Sequence, residues 1–170
     1  MKISEEKFNY IYDTYLQELF NVAYGYTKNI DDSNDIVHNA FVKFLKCNSD
    51  FKTDNDIKFF LIRVVINESL DLLKSYYKRR VVKSDEFLLT IPDQNNDDSL
   101  DEIANTVSVL PEKYKTVIIL HYYNLMKVKD IAITLKISET AVKKRLERAR
   151  KLLKDIIERK LKWLKINYLN

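Results

Sequence analysis

Residues 128–153, VKDIAITLKISETAVKKRLERARKLL, decide the fold. Ile131, Ala132 and Leu135 recur at the spacing of a short helix, Lys136 and Ile137 make a tight turn, and Ser138 can cap a helix that begins at Glu139. Val142, Leu146, Ala149 and Leu153 share one seam of that second helix, and the small Ala132 allows a close helix crossing, so the stretch reads as a helix-turn-helix. Glu139, Thr140, Lys143 and Lys144 lie off the seam near the N-terminal end, where a recognition helix meets base edges in a major groove. Arg145, Arg148, Arg150 and Lys151 stand further along and suit phosphate. A solvated basic face is the competing reading; the joint occurrence of turn, cap and alanine weighs against it. Lys136 occupies a position where such turns usually carry Gly, and a positive φ there would cost roughly 1 kcal/mol or more.

Upstream of this motif, Leu110 and Pro111 open another helix, with proline suited to its first position, and Tyr114, Val117, Ile118, Leu120 and His121 continue it. Further toward the N-terminus, Phe8, Ile11, Tyr12, Tyr15, Leu16, Leu19, Phe20, Val22, Ala23 and Tyr26 recur at three and four, which predicts a helix over about 5–27. Asp32 or Ser33 can cap a second helix carrying Ile36, Val37, Ala40, Phe41, Phe44 and Leu45. A polar, aperiodic segment from Cys47 to Asp56 separates it from a third, about Asp56 to Arg80, with Ile57, Phe60, Leu61, Val64, Val65, Leu72 and Leu73 facing inward. The third helix ends in interleaved cations and aromatics: Lys74, Tyr76, Tyr77, Lys78, Arg79, Arg80 and Lys83. Such a surface can neutralise phosphates and stack unpaired bases, each stacked base being worth roughly 1–3 kcal/mol. A basic helix end complementing the dipole, with its tyrosines packed on the core, is the alternative.

Charge separates these modules. Residues 1–83 carry 13 basic and 12 acidic side chains, residues 84–102 carry none and 7, and residues 103–170 carry 16 and 6. The last third has the field of a polyanion binder. The acidic stretch, SDEFLLTIPDQNNDDSLDE, holds Pro92 and no sustained period, and reads as a linker, either an ordinary solvated loop or a mimic of phosphate.

Composition narrows the classes. The 170 residues include one Gly and two Pro, too few turn formers for a β-sandwich or barrel. The single Cys47 allows no internal disulfide, and with only two histidines no structural metal site is expected. The start MKISEEKFNY lacks the features of a signal peptide, and no apolar run reaches ~18 residues, so a soluble, cytoplasmic chain without membrane insertion is the expectation. The fold class expected is all-α: a three- or four-helix bundle at 1–83, an acidic linker at 84–105 and a helix-turn-helix domain at 106–170.

The arrangement resembles sigma-70-family RNA polymerase sigma factors of the extracytoplasmic-function type. Leu110 and Pro111 match the opening Leu-Pro of region 4, Asp130, Ile131 and Ala132 its Glu-Ile-Ala, Val142, Lys143, Arg145 and Leu146 its Val-Lys-x-Arg-Leu, and Arg148, Ala149 and Arg150 its Arg-Ala-Arg. Asp35, Ile36, Val37 and Phe41 resemble the Asp-Leu-Val-x-x-x-Phe of region 2, and Leu61, Val64, Asn67 and Asp71 the Leu-x-x-Ile-x-x-Asn-x-x-x-Asp of its −10 helix. Departures are His38 and Asn39 for Gln and Glu, Phe60 for Trp, and Ala141 for Thr.

The resemblance implies an alternative sigma factor that directs core polymerase to specific promoters. The face of Asp35, His38, Asn39 and Lys43 would dock on the core (beta and beta-prime subunits). The 47–56 loop with the helix around Asn67 would capture a flipped −10 base, whose extrusion costs a few kcal/mol. Asn67, Asp71, Lys74, Lys78, Arg79 and Arg80 would serve the −10 element, and Glu139, Thr140, Lys143, Lys144, Arg145 and Arg148 the −35 element. A tether of about 22 residues reaches at most ~75 Å, enough for elements roughly 50 Å apart. Its carboxylates would lie in a basic channel of the polymerase. Promoter DNA and core polymerase are the implied partners, and the resemblance admits an anti-sigma factor.

Two rival classes are weighed. A conventional helix-turn-helix repressor or activator would use residues 1–80 for dimerisation or sensing and bind palindromic DNA without polymerase. An enzyme lacks support: His38 and His121 stand in different modules, one glycine excludes a phosphate loop, and Asp35 and Glu68 fall on helix faces. No catalytic residue, cofactor or metal ligand is expected, and His121 reads as a core or interface residue.

Overall fold

A computed structural model describes residues 3–81 and 105–168 of the chain, which divides into two compact units, residues 1–93 and 94–170. The acidic linker expected at 84–105 lies, but for its last residue, outside the described residues, as do the side chains of Arg80, Val81 and residues 163–168.

The first unit holds α1 (Glu5–Thr27), α2 (Ile30–Lys46) and α3 (Asp54–Val81), each packed on the other two. Ser4 caps α1, its Oγ accepting from Lys7 N–H at 3.3 Å, and Glu5 and Glu6 complement the dipole in the first turn. The helix stops at Lys28, which adopts φ 54° and donates its N–H to Tyr24 O at 3.0 Å. This left-handed exit reverses the chain at once, so the next cap comes early: Asn29 Oδ1, not Asp32 or Ser33, accepts from Asp32 N–H at 2.9 Å. Ser33 is instead buried, its hydroxyl donating to Asn29 O at 2.5 Å. At α3, Thr53 Oγ1 accepts from Asp56 N–H (3.2 Å) while Asp56 Oδ2 accepts from Thr53 N–H (2.9 Å), a reciprocal box that starts the helix at Asp54.

The core of this unit is Ile11, Leu19 and Val22 of α1, Ala40 and Phe44 of α2, and Leu61, Ile62 and Val65 of α3. Phe59, Ile62 and Ile66 are buried although the expected inward seam omits them, whereas Phe60, Val64, Leu72 and Leu73 are half-buried. Because α3 packs on both α1 and α2, residues 57–66 bury a wider arc than one seam. Tyr12 and Leu16, read as inward, are partly exposed.

In the second unit a helical turn at 105–108 precedes α4 (Glu112–Ile118), a π-helical turn (Ile119–Tyr123), α5 (Val128–Leu135) and α6 (Glu139–Tyr168). Pro111 sits one residue before the first helical position, its carbonyl accepting from Tyr114 and Lys115 N–H at 2.9 and 3.0 Å. Val117, Ile118, Ile119 and Leu120 form the buried core of this unit with Ile131 and Ala132 of α5 and Val142, Leu146 and Ala149 of α6. His121, half-buried, uses Nδ1–H to hold Met126 O at 3.0 Å, a structural bond in keeping with its core reading. Burial holds the Lys115 ammonium below its ordinary pKa, with Glu112 opposing the shift. A depressed folded pKa means the unfolded chain binds the extra proton, so this side chain costs stability at neutral pH and the cost fades as pH rises toward 10.5. Lys115→Met should raise the melting temperature of this unit at pH 7, with the gain shrinking in scans above pH 10; an unchanged melt at pH 7 would remove burial as the cause.

The turn between α5 and α6 carries the expected strain. Lys136 has φ 54° and ψ 45°, its N–H reaching Ile133 O (3.3 Å) while Ile137 N–H reaches Ala132 O (3.0 Å), the paired bonds of a Schellman stop. Ser138 Oγ accepts from Ala141 N–H at 3.1 Å, capping α6. Lys136→Gly is therefore expected to stabilise the unit by about 1 kcal/mol in urea titration. A loss of stability would mean that the lysine side chain contributes more than its backbone costs.

Candidate nucleic-acid interface

The first unit presents two exposed surfaces. On α3, Asn67, Asp71, Lys74 and Lys78 are spaced four, three and four apart, which puts all of them on one solvent-facing stripe. Asp71 and Lys74 approach within 3.9 Å at the surface. Arg79 stands off this stripe, its guanidinium 5.2 Å from the Tyr76 ring centroid and donating to Ser75 Oγ at 2.9 Å. Tyr76 and Tyr77 are 39% and 68% exposed, so these tyrosines do not pack on the core; Arg79 lies over the Tyr76 ring, and Tyr77 is the more open to a base. The Tyr76 hydroxyl donates to both Asp32 oxygens (3.0 and 3.2 Å), tying the cationic end of α3 to the start of α2 and raising the phenol pKa.

On α2, Asp35, His38, Asn39 and Lys43 are all exposed. Lys43 is ion-paired with Glu68 of α3, next to Asn67, so it stands where the two surfaces of the unit meet. The segment 47–53 and the start of α1 border a cavity of about 480 Å³, lined by Cys47, Phe51, Thr53 and Ile57 together with Ile3, Lys7 and others. The loop expected to take a base thus does enclose a hollow, but Asn67 is not among the residues around it.

In the second unit, Thr140, Lys144 and Arg148 form an exposed i, i+4, i+8 row on α6. Glu139 and Lys143 are exposed on the flank of that row, and Arg145 is half-buried. Lys144, Arg145 and Arg148 border a shallow hollow of about 260 Å³ with Lys113 and Tyr114 of α4. The latter two were not legible as site residues: they lie thirty residues upstream, and only the packing of α4 on α6 unites them. Arg150, expected to meet phosphate, is exposed and donates Nε–H to Tyr122 Oη at 2.7 Å. Among the described residues no cluster of three or more His, Cys, Asp or Glu could hold a metal, and no helix is long and apolar enough to cross a membrane.

A helical bundle with an exposed, cation-ended stripe and a second unit with a basic, capped helix-turn-helix have the build of a DNA-binding protein. Comparison with known proteins names the class. The sigma-70 region 2 family model matches residues 11–80, and the sigma-70 region 4 model matches residues 100–153. RNA polymerase sigma factor SigV of Bacillus subtilis (strain 168) is 30% identical over 140 residues, covering 81% of this chain and 83% of that protein. The ECF RNA polymerase sigma factor SigW of the same organism is 26% identical over 168 residues, 90% of each chain. Two solved structures share the fold: CnrH in complex with the cytosolic domain of CnrY (TM-score 0.70, 22% identity, 91% of this chain and 90% of that one), and RpoE with the anti-sigma factor NepR from Bartonella quintana (TM-score 0.68, 21% identity, 90% and 98%).

The chain belongs to the sigma-70 family. It is an alternative sigma factor, which directs core polymerase to specific promoters and starts transcription by binding and opening promoter DNA. A region 2 match over residues 11–80 removes the sensing or dimerisation module that a conventional repressor would need there.

Proposed function

We propose the following division of labour within this sigma factor. Asp35, His38, Asn39 and Lys43 dock on the core polymerase. Asn67, Asp71, Lys74 and Lys78 track the −10 strand with Arg79 and Arg80, and the hollow beside 47–53 receives a base flipped from it. On the second unit, Glu139, Thr140, Lys143 and Lys144 read the −35 element, while Arg145 and Arg148 bind its backbone. The observation that carries this reading is the single exposed stripe at 67, 71, 74 and 78, ending beside the exposed side chains of Tyr76 and Tyr77, in a unit matched by region 2. Sigma factors as a class are not enzymes, and the chain acts by binding alone, in the cytoplasm. By analogy with the two complexed structures of the same fold, an anti-sigma factor is proposed as a partner that holds the free chain off polymerase.

Run-off transcription with core polymerase tests the reading. Added chain should yield a defined start on DNA upstream of its own operon, and gel shifts on that DNA should be far stronger with the core than without it. A shift of equal strength without polymerase, on palindromic DNA, would instead favour a conventional regulator.

A further inference from the structure

We propose that Lys113 and Tyr114 of α4, with Arg145 and Arg148 of α6, form a seat for one backbone phosphate of the promoter duplex, bordered by Lys144 of the reading face. The proposal rests on the −35 reading above and extends it to two residues outside the helix-turn-helix.

The hollow between α4 and α6 is lined by four cations and one aromatic ring, with no carboxylate among them. Among the described residues none of these cations makes an ion pair, whereas Lys154 further along α6 has Glu158, and Arg150 has the Tyr122 hydroxyl. Packing of α4 on α6 brings these side chains around one hollow. An anion entering it would meet several charge-assisted donors at once.

Geometry favours a phosphate within a duplex over a free one. Lys144 and Arg148 belong to the same exposed row as Thr140, so the hollow borders the face that meets the groove. Backbone contacts of this kind fix the register of a recognition helix without reading sequence. The Lys113 ammonium lies 5.0 Å from the Tyr114 ring centroid, which parks it at the rim. The half-buried ring offers a flat apolar wall against which a deoxyribose can lie.

The test uses the full chain, a duplex selected by that chain from a random pool, and an unrelated duplex of equal length, with affinity read by fluorescence anisotropy from 50 to 200 mM KCl. Lys113→Gln changes an exposed residue, and its melting curve should match the parent. The seat predicts that this variant binds both duplexes more weakly by a similar factor and that its salt slope falls by about 0.9. Between the two salt concentrations it would then lose about 3.5-fold less affinity than the parent does. A single uncharged methylphosphonate at the seated position should weaken the parent by a larger factor than it weakens Lys113→Gln; an equal factor for both would mean that Lys113 does not touch the seated phosphate. An unchanged slope for Lys113→Gln beside a reduced slope for Arg148→Gln would overturn the seat and leave the −35 reading standing. Unchanged slopes for both would overturn the two together. Binding of tripolyphosphate that depends on Lys113, with the DNA slope unaffected, would assign the hollow to a small anion and likewise sink the proposal.

Discussion

Replacing Lys143 and Lys144 together by alanine is expected to weaken binding to a cognate −35 duplex by roughly 30-fold to 10⁴-fold, since each direct base contact carries about 1–3 kcal/mol. Both side chains are exposed and lie one residue apart, hence about 100° apart around α6, so together they straddle the face that would enter the groove. Neither contributes to the seam of Val142, Leu146 and Ala149, and alanine is the better helix former, so the fold should be preserved or slightly stabilised. Nearby Glu139 sharpens the test. Its carboxylate favours the N-terminal turn of α6 but would repel a phosphate, so it suits a base edge that donates, such as the amino group of cytosine. Anisotropy titration of parent and variant on cognate and unrelated duplexes measures the effect. A loss that is equal on both duplexes would move the two lysines from base recognition to the backbone.

What could be read in the sequence was whatever local chemistry fixes alone. The α5–α6 turn is such a case: Ser138 caps where expected, and Lys136 takes the left-handed conformation that made its presence noteworthy. The stripe at 67, 71, 74 and 78 follows from helical spacing once a helix over those residues is granted. The start of α2 was misread because Asn29, Asp31, Asp32 and Ser33 are all competent caps, and the choice among them is made by Lys28, whose φ of 54° is not encoded by a glycine. The π-helical turn at Ile119–Tyr123 left no trace, since an extra residue in a turn buried on Ile119 and Leu120 does not alter composition. Lys113 and Tyr114 were missed for a different reason. Their partners lie on α6, so the hollow exists only after two helices far apart in sequence pack. A cation beside an aromatic near a helix start was the only local hint.

Phe44→Ala should cost the first unit about 3–5 kcal/mol, the usual loss for a fully buried aromatic ring. Phe44 is entirely buried, and its ring stands 5.6 Å from that of Phe51 and 6.4 Å from that of Phe60, while Phe51 and Phe60 meet edge-on at 5.3 Å. The triad therefore joins α2, the 47–53 segment and α3, so the deletion leaves a void at the point where three pieces of chain meet. A three-helix unit of this size has little stability in reserve, and a loss of that order would leave much of it unfolded at 37 °C. Phe44→Leu keeps most of the volume and should retain most of the stability, which separates the void from the loss of aromatic contacts. The functional consequence distinguishes the units. The −35 helix rests on the buried set of the other unit, including Val117, Ile131, Val142 and Leu146, so duplex binding by the full chain should persist in Phe44→Ala. Transcription from the promoter should fall to background as the variant is warmed through its first transition, because the 47–53 segment and the cationic stripe lose their frame together. Urea unfolding followed by far-UV circular dichroism reads the stability and run-off transcription across temperature reads the function. A Phe44→Ala variant that unfolds at the parental urea concentration would show that the ring is not what holds these three segments together.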